Sequence, residues 1–297
     1  MTAPDHLTRF LLPAAGVRGV HVQLGPAWQE IGNRADYPPR ARRLLGEACV
    51  AAALFTGHTK IDGRLSVQLR GDGAMRTLFA ECTAAGTLRG IVQLGEEGGD
   101  APADLRELGE QTFLAITIEN PGLDPREPQR YQSLVALHAP TLEEAFEDYF
   151  RQSEQLPTRL LLAADGDRAA GLLLQKLPGD SGDEDGWHRA GALFDTLAAP
   201  ELLSVEAATL LHRLFHEENP ELVGGKDLSF ACSCSHERVA AMLRSLGEDE
   251  ARAAAEATGA VDVRCEFCGR EYHFPLTEFG VLFSEVPAGP PAPERLQ

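Results

Sequence analysis

Long apolar runs are missing from this chain. No stretch of its 297 residues approaches the roughly eighteen consecutive apolar residues of a membrane-crossing helix, so no span is expected. Positive charge is scarce too: 27 Lys and Arg stand against 45 Asp and Glu, a formal net charge of −18. Affinity for nucleic-acid backbones and anionic bilayers comes mainly from Lys and Arg, so neither is an expected partner. The phosphate-loop spacing G-x₄-G-K-[ST] is also lacking. "VGGKDLS" at 223–229 is only superficially similar, and no nucleotide site is expected. The first residues, "MTAPDHLTRFLLPAAG", have no basic leader region and only three apolar residues in a row before Pro13. A reducing cytoplasmic setting follows as the expectation, and there cysteines serve more often as metal ligands or redox sensors than as structural disulfides. Cysteines are few. Of the six, Cys49 and Cys82 sit alone in apolar surroundings and read as buried small hydrophobes, whereas the other four are clustered.

Enough apolar residues are present, 43%, to pack a core, and the length suits one large domain and a smaller one. "PRARRLLGEACVAAALF" has helical spacing through Leu44, Leu45, Ala48, Ala52 and Phe55. From Arg64 to Gly95 the pattern changes to strands and tight turns. Leu65, Val67 and Leu69 alternate with polar residues, "GDG" at 71–73 supplies a turn, and "TLFAEC" and "LRGIVQL" follow. "TFLAITIEN" and "YQSLVALH" read as strands flanking a Pro-rich loop at 121–128. Thr141 and Glu144 have capping-box spacing ahead of a stripe of Leu142, Ala145, Phe146 and Tyr149, and Pro157 ends that helix. "TRLLLAADGDRAAGLLLQKLP" reads as a hairpin around Asp165–Gly166.

Strands grouped with helices, without regular alternation, indicate an α+β fold rather than a doubly wound sheet. At "GDSGDEDG", 179–186, the chain carries four acids and no base, the composition of a solvated linker. Two helices follow, "WHRAGALFDTLA" and "SVEAATLLHRLFHEEN". The second is expected to have Ser204 as N-cap, with Ala207, Leu210, Leu211, Leu214 and Phe215 on one face, and to close at Pro220. The expected organisation is an N-terminal core domain of sheet and helix at 1–178 and an acidic, helical linker at 179–226. A small C-terminal zinc-binding module at 227–285 and a disordered tail at 286–297 complete it.

Cys232, Cys234, Cys265 and Cys268 form C-x-C followed by C-x-x-C. "VDVRCEFCGREYHF" is a knuckle: an extended segment turns through C-x-x-C-G, where Gly269 allows both sulfurs to face one ion. Alternate residues of an extended chain point the same way, so both C-x-C sulfurs can reach that ion as well. Four thiolates at about 2.3 Å make a closed tetrahedral zinc site without a position for substrate. His236 and His273 lie nearby in sequence, but four Cys already fill the tetrahedron. Ser235 is the expected N-cap of "HERVAAMLRSL", which Gly247 ends. The positive helix end and Arg238 are expected to hold Cys232 and Cys234 toward thiolate, and Arg264 and Arg270 to offset the negative cage.

A structural zinc supplies roughly 10–16 kcal/mol of folding free energy. A module of about seventy residues rarely draws more than about 3–5 kcal/mol from its own core. The apolar inventory here, Val239, Met242, Leu243, Leu246, Val263, Phe267, Tyr272 and Phe274, is thin. Oxidising the thiols removes thiolate ligands and is expected to unfold the module.

These residues resemble the redox-regulated bacterial chaperone family of the 33 kDa heat-shock protein. The likeness rests on "CSCSHERV…LRSLGEDE", "VDVRCEFCGREYHF" and "YFRQSEQLPTRL", with "GRLSVQLRGDGAMRTLFAEC" and "RGIVQLGE" weaker. The resemblance implies a cytoplasmic, ATP-independent holdase of the oxidative stress response that binds one zinc through the four cysteines when reduced and inactive. It further implies that oxidation forms disulfides Cys232–Cys234 and Cys265–Cys268, expels zinc, unfolds the C-terminal region and linker, and favours a homodimer that holds unfolding client proteins. Two other readings stay open from the residues alone: a purely structural zinc ribbon, and a thiol–disulfide oxidoreductase using Cys265 and Cys268. Against the enzyme, the C-x-x-C lies in a knuckle rather than at the strand-to-helix step of a thioredoxin-like unit. "SEQ" at 153–155 reads as a capping or docking feature rather than a Ser–Glu catalytic pair, and no catalytic residue is expected.

Overall fold

The computed structural model describes residues 5–95, 99–109, 111–122, 128–179, 182–256 and 258–284. The tail at 286–297, the middle of the Pro-rich loop and residues 180–181 of the acidic stretch lie outside the described residues. The chain divides into two compact units, Met1–Ala231 and Cys232–Gln297.

The first unit begins with strands β1 (His6–Leu12) and β2 (Val17–Leu24), then helices α1 (Pro26–Gly32) and α2 (Pro39–His58). A run of strands follows: β3 (Arg64–Arg70), β4 (Met75–Thr83), β5 (Thr87–Leu94), β6 (Phe113–Asn120) and β7 (Gln129–Ala136). After α3 (Leu142–Tyr149) come β8 (Thr158–Ala164) and β9 (Ala169–Lys176), then α4 (Gly186–Phe194), α5 (Ala199–Ser204) and α6 (Ala207–Phe215). Strands β10 (Glu221–Asp227) and β11 (Ser229–Phe230) close the unit. The order β10-β1-β2-β9-β8 makes one sheet, and β11-β5-β4-β3-β6-β7 makes another.

Helix α2 packs against strands of both sheets. The amphipathic spacing read from its sequence understates this, because Ala48 through Gly57 are all buried. A helix apolar on every side belongs inside a core. Glycines let it come close. A Cβ at Gly90 of β5 would lie 2.8 Å from Cys49 Sγ, and one at Gly171 of β9 would lie 2.5 Å from Val50 Cγ1. Cys49 and Cys82 are buried in this core, and burial pushes both thiols up, Cys82 to about 11. They are inert small hydrophobes, as their apolar settings suggest.

The five-stranded sheet is covered on its other face as well. Phe10, Leu12, Leu172 and Leu174 meet Phe194, Leu202, Leu210, Leu211 and Phe215 in a second core. The stretch expected as a linker at 179–226 is therefore built into the first unit in this structure, and β10 pairs antiparallel with β1. The boundary falls at 231/232 rather than near 227. Ser204 also differs from expectation. Its Oγ donates to the Pro200 carbonyl at 2.7 Å and ends α5, while Glu206 holds the N-cap of α6 without a side-chain bond. Pro200 in the first turn starts a separate short helix, and extended Val205 interrupts the run.

Thr141 caps α3 by accepting from the Glu144 N–H at 3.3 Å. The chain continues through a π turn, 150–154, to Gln155 at φ 56 before Pro157. Glu154 accepts from Gln175 Nε2 at 3.1 Å and lies 3.8 Å from His58. The "SEQ" stretch thus docks the end of α3 onto β9 and the end of α2. "VGGKD" is the end of edge strand β10, not a loop opening a helix.

Candidate metal centre

The second unit contains α7 (His236–Leu246), α8 (Glu248–Ala255), the hairpin β12 (Ala260–Arg264) and β13 (Glu271–Pro275), and α9 (Phe279–Ser284). Ser235 caps α7 as its position suggests, accepting from the Arg238 N–H at 3.3 Å, and Gly247 ends the helix at φ 101. The second cysteine pair sits at the tip of the β12–β13 hairpin. Cys265 N–H donates to the Arg270 carbonyl at 2.8 Å, and Gly269 N–H to the Cys265 carbonyl at 2.7 Å. Gly269 turns the chain at φ 71, a conformation that a side chain disfavours.

All four Sγ atoms lie within 4.8 Å of one another, with Cys232–Cys265 at 3.7 Å and Cys234–Cys268 at 3.3 Å. Four sulfurs at about 2.3 Å from one ion stand about 3.8 Å apart along each tetrahedral edge, so the donor set fits a thiolate-bound metal ion. The four residues are half-buried and none is disulfide-bonded. They come from two segments: the extended approach to α7 and the hairpin tip.

The electrostatics follow from crowding four thiols. Burial raises Cys232 to about 12, reinforced by hydrogen bonding with the neighbouring thiols. Burial also pushes Cys234 up, but the Tyr272 hydroxyl and the other thiols outweigh it and hold this sulfur down to about 7. The Tyr272 hydroxyl is buried beside the sulfur cage and acts on Cys234 as a donor. Arg238 donates to the Ser233 carbonyl at 2.8 Å and pins the backbone between the two cysteines. Arg270 does feel Cys234 and Cys268, as expected, although Tyr272 acts on it more strongly.

The two histidines face elsewhere. His236 stacks on Phe274 with ring centroids 4.5 Å apart, and His273 pairs with Asp262 at 2.6 Å on the outside of the hairpin. The role of Tyr272 beside the cage is the contribution that spacing alone does not reveal. Its alternation with exposed His273 is the one sequence signal that turns it inward. The core beneath is small: Ala240, Leu243, Ala251, Ala255, Tyr272, Phe274 and Phe279 are its buried members. Met242 and Leu246, counted among the apolar candidates, are 43% and 52% exposed, because α8 meets the opposite face of α7 through its alanines.

A mixed α+β unit followed by a small module gathered around four thiols defines the class: a two-unit protein with a metal-competent cysteine cage. The family model described as Hsp33 protein matches residues 5–275. The 33 kDa chaperonin of Ectopseudomonas mendocina is 43% identical over 297 residues, covering 98% of each chain. That of Pseudomonas aeruginosa strain LESB58 is 40% identical over 301 residues, covering 99% of this chain and 100% of its own, and that of Azotobacter vinelandii is 41% identical. The crystal structure of the 33 kDa chaperonin of Thermotoga maritima, a heat shock protein 33 homologue, shares the fold. Its TM-score is 0.77 at 22% identity, over 95% of this chain and 98% of that one. The chain belongs to the Hsp33 family. Among the described residues no helix is long and apolar enough to cross a membrane.

Proposed function

We propose that the chain is a redox-regulated, ATP-independent chaperone that holds unfolding proteins in the cytoplasm, without enzymatic turnover. Zinc is the ion assigned to Cys232, Cys234, Cys265 and Cys268. The observation that carries the reading is the pairing of a four-thiol cage with a core that, among the described residues, has seven buried side chains, three of them alanine. Zinc, when bound, contributes roughly 10–16 kcal/mol of ordering. The core of a unit this size contributes about 3–5 kcal/mol, so fold and redox state are tied together.

Peroxide takes two electrons from each thiol pair, forming one disulfide while one H₂O₂ and two protons become two waters. Cys234, with its low-lying pKa, is the thiol most readily present as thiolate and so the first attacker when the cage loosens. Pairing within each motif, Cys232–Cys234 and Cys265–Cys268, is supported by the family likeness. The shortest sulfur distances run across the motifs, but in a tetrahedron all edges are close in length and the distances do not choose between pairings. Either pairing leaves no thiolate cage, and the second unit loses its main source of order. A homodimer of the oxidised form, client proteins as partners, and no role for nucleic acid, membrane or nucleotide complete the proposal.

Titrating the reduced protein with peroxide tests it, with zinc release, far-UV circular dichroism and light scattering of an unfolding client followed together. Zinc release, loss of ordered structure and gain of anti-aggregation activity are expected to move in parallel. Retention of zinc under mild peroxide would point to a structural ribbon, and catalysed reduction of insulin with turnover would point to an oxidoreductase.

A further inference from the structure

Residues 34–43, "RADYPPRARR", hold four arginines and one acid in a chain whose net charge is −18. Arg40, Arg42 and Arg43 fall at the start of α2, the positive end of the helix dipole, where basic side chains are unfavourable. The helix end itself is already occupied. The Asp100 carboxylate accepts from the Arg40 and Ala41 N–H groups at 2.9 and 2.8 Å. Beside the arginine side chains lies a cleft of about 460 Å³, lined by Tyr37, Arg42, Arg43 and the turn at Asp165 and Gly166.

Arg42 is held in place. Its Nη2 donates to Asn33 Oδ1 and to the Gly166 carbonyl, both at 2.9 Å, and its guanidinium lies 5.6 Å from the Trp28 ring centroid. Its Nε–H is buried against Gly32 and Trp28, away from the cleft, which leaves the Nη1 donors to face it. A guanidinium held in this way is preorganised for an acceptor. Arg43 is exposed. Glu47, the carboxyl that acts on it, is raised to about 8 by burial and by Glu143, so at neutral pH it is largely protonated and leaves the Arg43 charge uncancelled. The Asp165 carboxylate is turned into its own loop, accepting from the Asp167 and Arg168 N–H groups at 2.8 and 2.7 Å.

We propose that this cleft binds a phosphate-bearing anion through Arg42 and Arg43. Planar guanidinium groups match the geometry of phosphoryl oxygens, and a fixed guanidinium with a spare donor beside a free one makes a two-point clamp. The volume exceeds a single orthophosphate and suits an oligophosphate or a small phosphate ester.

Calorimetric titration of the reduced full-length chain at low ionic strength tests this, with orthophosphate, tripolyphosphate and glycerol 1-phosphate as probes and succinate as the carboxylate comparison. Saturable binding of at least one phosphate compound, with none for succinate, is expected, and which probe binds distinguishes an inorganic from an esterified source. Arg43→Ser should weaken binding tenfold or more at an unchanged melting temperature, Arg42→Lys should weaken it similarly, and Arg130→Ser on β7 should leave it unaltered. Absence of saturable binding by all three phosphates, equal binding of succinate, or undiminished binding by Arg43→Ser overturns the assignment.

Discussion

A buried and a half-buried group in the first unit titrate in opposite senses. His21 on β2 is 1% exposed, its Nε2 has no partner, and burial with the nearby His6 lowers its pKa from 6.5 to about 4. Below about pH 6.5 the unfolded chain takes up a proton that the folded chain refuses, so this residue makes stability fall as pH drops from 6.5 toward 4. The loss amounts to about 3 kcal/mol in full. His21→Gln should flatten that limb in urea unfolding between pH 7 and pH 4; a variant with the parent's slope would refute the assignment. Glu47 carries the other sign. Its folded pKa of about 8 exceeds the ordinary 4.5, chiefly through burial, so the folded chain keeps a proton that the unfolded chain has released. Its contribution is intact below pH 4.5 and disappears as pH rises through 8. Glu47→Gln should therefore gain stability relative to the parent at pH 9, by more than about 1 kcal/mol, and gain little at pH 4, as read from melting temperatures.

At the scale of elements, what sequence patterns reveal depends on how many faces an element buries. Strand β3 alternates because only one of its faces enters the core, and its register with β4 and β6 carries Leu65, Val67 and Leu69 inward. Strand β2 is buried on both faces between α2 and the α4–α6 layer, so His21 and Gln23, which alternate with Val20, Val22 and Leu24 as a solvent face would, are buried as well. The α4–α6 helices read as a linker although β8 and β9 read as a hairpin, because spacing shows that a helix has an apolar face but not which sheet that face covers. The thiol cage, by contrast, was legible in full as a cluster, because ligand spacing is a local chemical requirement. Tyr272 beside it was not, because its role is set by packing. Glycines test the helix-to-sheet contacts directly. A Cβ at Gly171 meets Val50 at 2.5 Å, whereas one at Gly191 in α4 meets nothing within 4 Å. Gly171→Ala should cost about 1–3 kcal/mol by overpacking, while Gly191→Ala should stabilise by about 0.5–1 kcal/mol through helix propensity. Thermal melts of the pair that shift in the same direction would contradict the packing account.

For the whole molecule, the two units are ordered by different means. The first has cores on both faces of a five-stranded sheet and a helix enclosed by strands of two sheets. The second has a handful of buried side chains and four thiols among the described residues, so under the proposed function a single class of bond, sulfur to metal, would decide whether it is folded. Removing the ion from the reduced protein with a chelator should then act selectively. Hydrogen exchange in α7, α8 and the β12–β13 hairpin should rise toward that of an unfolded chain while α2 stays protected, and limited proteolysis should cut beyond Ala231 first. Cys265→Ser should produce the same pattern without chelator, because three sulfurs no longer close the tetrahedron. Protection of α7 that survives both treatments would mean that hydrophobic packing alone maintains the second unit, and a switch that works by dismantling it would have no physical basis.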